Sequence, residues 1–270
     1  MEDFNYIEKS LRTISVHELR LWPLRHGSVK LHEYHNVIRQ TGLHAPDINK
    51  KGVNTFSYDK ILCRNNYIYL EPPRLQGGYG LNSFLLVDPA VLQKSGVRFA
   101  IRDIGMIIAQ IQLFISDPSY KFPRWIIEPT LLEEIISTEF KGRRMSNLGK
   151  WVLEPDIKER LFGSEAFKMY VDRYYLSENE FFAAIGQKLR ELNYTLKMYL
   201  GRDQYWPLSE EILIPEGVDP EYLLGYWDGE QYNEWAIAKN GGTANRTKYF
   251  IDILIKSQLS QNKPTILGEI

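Results

Sequence analysis

The histidines of this chain lie close together in the sequence and are its clearest candidates for chemistry. There are five, all within the first 44 residues: His17, His26, His32, His35 and His44. His32 and His35 are three positions apart in a stretch with helical spacing, so they share one face of a predicted helix. With Glu33 or His26 they could hold a metal ion, but this spacing is common by chance and no HExxH sequence is present. The favoured interpretation is an acid–base histidine that faces a substrate.

Glycine-containing turns and a basic cluster are weaker candidates for binding sites. Residues 77–80 and 240–243 are such turns, and the second precedes a predicted helix, whose start can bind an anion. Neither turn matches a P-loop or a GxGxxG sequence, which favours ordinary turn chemistry. Lys141, Arg143 and Arg144 form a basic cluster that is either solvated surface or a binding surface for an acidic peptide.

The composition limits the class of protein. The chain has 270 residues, 44% of them apolar and 25% charged, which suffices for a sizeable core. The 33 basic and 34 acidic residues nearly cancel, so the positive field typical of nucleic-acid-binding proteins is missing. The single cysteine, Cys63, forms no internal disulfide, which suits a reducing compartment. The acidic start and the absence of an apolar run of about twenty residues argue against export and a membrane span, so we expect a cytoplasmic protein.

The hydrophobic pattern predicts an α+β fold with mixed or antiparallel sheets packed against several helices. The predicted strands are residues 11–22, 67–70, 83–87, 124–128, 222–227 and 232–238, with another around Ile212 and a hairpin turn at Asp228 and Gly229. The predicted helices are residues 31–42, 89–96, 97–116 and 130–140, one that begins at a capping box of Ser177 and Glu180, and one after Gly242. No linker or repeat is visible. We therefore expect one compact domain over residues 1–270, or two lobes that meet near residues 141–150.

Residues 151–182 carry a sequence that resembles a segment of a known enzyme family. They read WVLEPDIKERLFGSEAFKMYVDRYYLSENEFF, which contains Glu154, Pro155, Arg160, Gly163, Ser177 and Glu178 in that order. This order resembles the C-terminal elimination domain of lantibiotic dehydratases and the related thiopeptide biosynthesis proteins. The chain has neither the HLRLR sequence of glutamyl-elimination domains nor a histidine after His44. The resemblance therefore favours the stand-alone branch of thiopeptide pyridine synthases, which have lost the elimination chemistry.

The resemblance implies an elimination-domain-like fold and a reaction that needs no cofactor. Pyridine synthases join two dehydroalanines of a modified precursor peptide in a formal aza-(4+2) cyclisation and then expel the leader peptide. Such a reaction gains mainly from holding the reacting ends together, and one or two proton donors suffice. The candidate catalytic residues are Arg160, Glu154, Tyr170, His32 and His35, and the candidate substrate-binding residues are Arg143, Arg144 and Trp151. The expected partner is the modified peptide with its leader, with no metal, nucleic acid or membrane.

Residues 96–114 support a second interpretation. They read GVRFAIRDIGMIIAQIQLF, in which Arg98, Asp103, Gly105 and Gln110 are similar to a helix of flavin-dependent azoline dehydrogenases of the nitroreductase fold. The arginine-rich flavin-binding start and the Ser-Gly-Gly-aliphatic-Tyr-Pro motif of that family are missing, so we rank it below the first. The alternative from outside the enzymes is a non-catalytic peptide-binding subunit of a modification complex.

The apolar stripe after Ser177 generates a test of packing. Leu189 shares one predicted helix face with Phe181, Ile185 and Leu192, so we expect it to be buried. Leu189→Ala should lower the free energy of unfolding by about 2 to 5 kcal/mol, as measured by chemical denaturation. An unchanged denaturation midpoint would show that this face contacts solvent.

Overall fold

The computed structural model describes residues 21–27, 31–45, 62, 66–71, 83–100, 104–117, 119–123, 126–139, 155–177, 179–180 and 211–261. The strands in these ranges are β1 (Leu24–Gly27), β2 (Leu43–His44), β3 (Tyr67–Leu70), β4 (Phe84–Val87), β5 (Arg98–Ala100), β6 (Tyr175–Leu176), β7 (Glu211–Pro215), β8 (Gly217–Val218), β9 (Leu223–Trp227) and β10 (Tyr232–Glu234). The helices are α1 (Leu31–Thr41), α2 (Ile104–Ser116), α3 (Pro129–Glu139), α4 (Pro155–Gly163), α5 (Glu165–Asp172) and α6 (Gly241–Gln261). The predicted α+β class is confirmed. Among these helices none combines the length and apolar composition that crossing a membrane requires.

The first sheet is antiparallel, in the order β1-β4-β9-β10, and it is covered on both faces. Phe84 of β4 packs against Phe250 of α6 on one face, with ring centroids 6.4 Å apart. Tyr226 of β9 stacks on His35 of α1 on the other face, at 4.8 Å. Since side chains alternate across a strand, the continuous apolar sequence of β4 is explained by burial on both faces.

The second sheet is also antiparallel, in the order β3-β7-β5-β6, and one of its faces packs against α2, α3, α4 and α5. The buried Tyr170 and Tyr174 lie at the centre of this helical layer. The hydroxyl of Tyr170 donates to the carbonyl oxygen of Ile127 at 2.6 Å, and the hydroxyl of Tyr174 accepts from the backbone N–H of Ile127 at 2.8 Å. Both buried hydroxyls are therefore satisfied by the loop that precedes α3.

Among the described residues, backbone hydrogen bonds join the two larger sheets at one pair, and side chains of both sheets share a hydrophobic core. Arg25 of β1 and Glu71, just after β3, exchange two backbone hydrogen bonds of 2.8 and 2.7 Å. The bridge is isolated, so the backbone ladder between β1 and β3 is not continued beyond it. Instead, Nδ1 of His26 lies 2.8 Å from the carbonyl oxygen of Tyr69. A side chain therefore satisfies a backbone group at the point where the two strands diverge.

Two expectations about the middle of the chain are wrong. The segment after Asp88 forms a short 3₁₀ turn over Pro89–Gln93 and not an α-helix, although Asp88 does cap it by accepting from the N–H of Ala90 at 2.9 Å. Residues 98–100 form β5 and not the start of the long helix, which begins at Ile104. The physical reason is tertiary, because β5 pairs with both β6 and β7, whereas an apolar run alone cannot distinguish a buried strand from a helix.

Two predicted strands also differ from the structure. The described part of the predicted strand 124–128 is a series of bends, with Glu128 at φ 43. The last strand ends at Glu234 and does not continue to residue 238. There the N–H groups of Trp235 and Ala236 both donate to the carbonyl oxygen of Leu224, so the one-to-one ladder with β9 is lost.

Several local predictions are confirmed. Helix α1 ends at Thr41, with Gly42 at φ 84. In the capping box, the backbone N–H of Ser177 donates to Oε2 of Glu180 at 2.9 Å. The hairpin turn lies at Asp228, where expected. The apolar stripe after residue 180, the predicted strand up to residue 20 and the predicted lobe boundary lie outside the described residues.

Gly42 generates a test of the fold. At φ 84, a Cβ added there would lie 2.5 Å from the carbonyl oxygen of Val218. Gly42→Ala should destabilise the protein by at least about 1 to 2 kcal/mol from the left-handed conformation alone, and the close contact adds to this. The matched control is Gly241→Ala, where nothing lies within 4 Å of the added Cβ and stability should be unchanged or raised by about 0.4 to 1 kcal/mol. Equal unfolding midpoints for the two variants would contradict this account.

Candidate functional site

A groove of about 660 Å³ lies between α1 and the hairpin of β9 and β10. Its lining includes His32, His35, Arg39, Tyr226, Asp228 and Trp235. The helix contributes residues three or four positions apart, which lie on one face. The structure thus brings both predicted histidines to one cavity, which we call the α1–hairpin groove.

The hairpin turn fixes the opposite wall of this groove. Oδ1 of Asp228 accepts hydrogen bonds from the N–H groups of Glu230 and Gln231, at 2.8 and 2.7 Å, and Gly229 adopts φ 114. Burial acts to raise the pKa of Asp228, but these hydrogen bonds and one from the side chain of Asn233 prevail and lower that pKa below its ordinary value. Asp228 therefore presents a negative charge at neutral pH.

Flat side chains form the floor of the groove. The imidazole of His35 is nearly parallel to the ring of Tyr226, at 10° and a centroid distance of 4.8 Å. Tyr226 in turn lies 6.4 Å from Trp235 at 26°. The guanidinium carbon of Arg39 is 6.0 Å from the centroid of the Trp235 ring. Such a surface suits a planar ligand more than a compact aliphatic one.

The two predicted histidines are not equivalent. Nδ1 of His35 lies 3.0 Å from the carbonyl oxygen of His32, and because a carbonyl only accepts, Nδ1 must hold the proton. In the neutral ring, Nε2 of His35 is then the acceptor. The imidazole of His32 is exposed, with Nε2 3.7 Å from Oε1 of Glu33. His35 is therefore the better positioned of the two for acid–base chemistry or ligand binding.

Of the other predicted residues, Arg160 and Tyr170 do not line this groove. Arg160 is exposed and donates to the carbonyl oxygen of Glu139 at 3.0 Å, with the carboxylate of Glu139 at 3.8 Å. Burial and the neighbouring Tyr174 hydroxyl raise the pKa of Tyr170 well above its ordinary value. Tyr170 is therefore a neutral phenol in the core between the second sheet and its helices. Glu154, Arg143, Arg144 and Trp151 lie outside the described residues.

The residues of the flavin-enzyme resemblance lie on two elements. Arg98 belongs to β5, and Gly105 belongs to α2. Gln110, also on α2, accepts a hydrogen bond from the hydroxyl of Tyr120, while Asp103 lies outside the described residues. The amide of Gln110 is therefore engaged within the protein.

A row of buried charged residues at the sheet junction is a second candidate site, which the sequence analysis missed. Arg25, Glu71 and Glu211 are only 3%, 8% and 7% exposed. Arg25 pairs with Glu71, and the register that pairs Leu70 with Ile212 places Glu71 opposite Glu211. Directly opposite residues share a face, so the three charges form one row across three strands. Buried charges are costly and uncommon, which makes this row a candidate for function.

Apolar and aromatic groups surround one end of this row. The guanidinium carbon of Arg25 lies 4.2 Å from the centroid of the Phe84 ring. On the first sheet, Arg25 is paired with Leu86, and both residues are buried. A cation against an aromatic face is stabilised more strongly when water is excluded. The arrangement can therefore hold a fixed positive charge beside two carboxylates with little solvent.

His26 lies next to this row, on the opposite face of β1. Burial lowers the pKa of its imidazole below the ordinary value, and the hydrogen bond to the carbonyl of Tyr69 only partly opposes this effect. Because that carbonyl accepts, Nδ1 holds the proton, and Nε2 of the neutral ring is the acceptor. The available signal was Glu211 at the start of the apolar sequence EILIP, whereas LRHG is half polar and gave no such signal for Arg25 or His26. In the described part of the chain, no group of three or more His, Cys, Asp or Glu could hold a metal ion.

The lowered pKa of His26 predicts a pH dependence of stability. In the folded state the imidazole resists protonation, whereas in the unfolded chain it binds a proton below about pH 6.5. Stability from this group is therefore complete above pH 6.5 and falls as the pH decreases, by at most about 1.4 kcal/mol per pH unit. His26→Asn keeps a donor near the position of Nδ1 and should show a shallower decrease between pH 7.5 and 5.5. Parallel pH profiles for the two proteins, from denaturant titrations, would refute the assignment.

The comparisons with known proteins leave the chain without a family. No protein-family model matches it, no curated protein is significantly similar to it, and no solved structure matches its fold significantly.

Proposed function

We propose that this chain is an enzyme that works by proton transfer at the sheet junction, with His26 as the acid–base residue. The observation that carries the proposal is the position of His26, held through Nδ1 at the divergence of β1 and β3, beside a row of buried charges. Ionisable groups with strongly shifted environments are concentrated at functional sites. A neutral, oriented imidazole presents Nε2 as an acceptor, and its lowered pKa means that a proton taken up there is readily passed on.

The charged row supports the same proposal. Arg25, Glu71 and Glu211 place one positive and two negative formal charges on adjacent strands with little access to water. Removing such charges from solvent costs free energy, and a hydrophobic replacement often stabilises a fold. We therefore expect that these buried charged residues serve a purpose other than stability. Because the row lies on the face of β1 opposite His26, it would act through the local electrostatic potential and not by contact with the reacting group.

The resemblance of residues 151–182 supports a narrower proposal for the reaction. We take the substrate to be a modified precursor peptide that carries a leader, and the reaction to be that of a thiopeptide pyridine synthase in the cytoplasm. Tautomerisation, loss of water and expulsion of the leader each require proton transfer, which His26 would carry out. Arg160, exposed beside Glu139, is accessible to the leader peptide and does not need to reach the reacting atoms.

A non-catalytic peptide-binding subunit is the second candidate. The observation in its favour is the α1–hairpin groove, which offers flat and polar side chains suited to binding without any chemical step. In that case His26 would be only a structural residue that holds Tyr69. The two candidates differ in whether the wild-type protein turns over the peptide or only binds it.

The activity test uses a linear bis-dehydroalanine peptide with azole rings and a leader. Wild-type protein should convert it to the pyridine macrocycle and release the leader, both detected by mass spectrometry. His26→Asn should lower the rate by about two to four orders of magnitude because it removes the acid–base nitrogen. The same variant should bind the peptide with similar affinity, since the donor to Tyr69 is retained.

The matched control is Lys239→Ala, which removes an exposed ion pair with Glu221 that contributes little to stability. This control variant should have the same melting temperature as the wild type, and its turnover rate should lie within about tenfold of the wild-type rate. Peptide binding without turnover by the wild type would favour the non-catalytic subunit. Full activity of His26→Asn would remove His26 from the reaction centre, and the absence of both binding and turnover would exclude this class of substrate.

A further inference from the structure

The α1–hairpin groove has a ligand chemistry of its own, independent of the sheet junction and of the proposed reaction. Its volume of about 660 Å³ falls within the range of small-molecule sites. It lies at the free edge of the first sheet, next to β10, whereas the charged row begins at β1 on the other edge. A ligand in the groove would therefore contact residues that the proposed reaction does not use.

The exposed end of the aromatic floor can accept one more flat ring. Arg39 lies 6.0 Å from the Trp235 ring, and carbon atoms in contact are about 3.5 to 4.0 Å apart. A planar ring inserted between guanidinium and indole needs about 7 to 8 Å. Arg39 is exposed on the surface of α1, so a shift of its long side chain by about 1 to 2 Å would provide that space.

Two tyrosines that line the groove have buried hydroxyls with unused hydrogen-bonding capacity. Tyr226 is only 3% exposed, and its hydroxyl has no hydrogen-bond partner among the described residues. The hydroxyl of Tyr232, which also lines the groove, is in the same situation. Burial and the nearby carboxylate of Glu234 raise the pKa of Tyr232, so it remains a neutral donor and acceptor. Buried hydroxyls usually have a partner, and a ligand with polar edges would supply one.

The charges of the groove select the type of ring. Asp228 and Glu234 contribute two carboxylates, against the single guanidinium of Arg39. Carboxylates only accept hydrogen bonds, so they favour a ligand with N–H donors. They also disfavour a ligand that carries phosphate or carboxylate groups.

We propose that the α1–hairpin groove binds a planar heteroaromatic ring with an exocyclic amino group, stacked between Trp235 and Arg39. The amino group donates to Asp228 or Glu234, and a ring nitrogen accepts from a tyrosine hydroxyl. An aminopurine or aminopyrimidine without phosphates has this chemistry.

Isothermal titration calorimetry with adenosine tests the proposal, with purine riboside, which lacks the amino group, as the matched ligand. Adenosine should bind at one site, and purine riboside should bind about 10- to 100-fold more weakly because a hydrogen bond to a charged group is lost. Trp235→Leu should weaken adenosine binding by about 5- to 100-fold through loss of stacking. Equal affinity for the two nucleosides, or no binding of adenosine up to millimolar concentration, would overturn the proposal.

Two exposed or conservative variants keep the test independent of folding. Arg39→Ala changes only a surface side chain and should weaken adenosine binding severalfold, without a change in melting temperature. Tyr226→Phe keeps the stacking ring but removes the hydroxyl, and it should also weaken binding. Its control is Tyr34→Phe on α1, where the ring is 49% exposed and does not line the groove. Unchanged affinity in both Arg39→Ala and Tyr226→Phe would overturn the proposed mode of binding, whatever the result for Trp235→Leu.

Discussion

The backbone bridge between Arg25 and Glu71 is the interaction on which the rest of the structure depends. Its two hydrogen bonds join two four-stranded sheets that otherwise have separate helical layers. The strands diverge after this pair, and the imidazole of His26 occupies the position of the next backbone bond. A one-residue change in strand register here would move the charged side chains to the other face of the sheet.

The bridge also explains why the two halves of the described structure differ in chemistry. In the core between the second sheet and its helices, the hydroxyls of Tyr170 and Tyr174 are satisfied internally by Ile127. The first sheet instead has tyrosine hydroxyls at its α1 edge without internal partners. Between the two halves, the sheets place buried charges next to one another. The candidate sites therefore lie at the junction of the two sheets and at the β10 edge of the first sheet. The core between the second sheet and its helices stabilises the fold.

Particular residues show how far the sequence could predict the candidate sites. The spacing of His32 and His35 predicted correctly that they share a helix face, because a helix relates residues three positions apart. The side chains that face them, Tyr226 and Trp235, come from a hairpin almost 200 residues later, and no local pattern connects the two. Arg25 and Glu211 look like ordinary charged residues at strand ends, because their burial results from pairing with distant strands. The resemblance to peptide-modifying enzymes concerns residues 151–182, of which the structure describes 155–177 and 179–180.

The sequence by itself determined the local features, which depend only on residues close together in the chain. These are the end of α1 at Gly42, the cap at Asp88, the capping box of Ser177 and Glu180, and the hairpin turn at Asp228. Each depends on a short-range hydrogen bond or a backbone conformation that one residue type favours. Only the tertiary structure decided that residues 98–100 are a strand, that Arg25, Glu71 and Glu211 share a row, and that His26 is neutral and oriented. These properties arise from strand pairing and burial between distant segments, which determine the local electrostatics but leave no periodic signal in the chain.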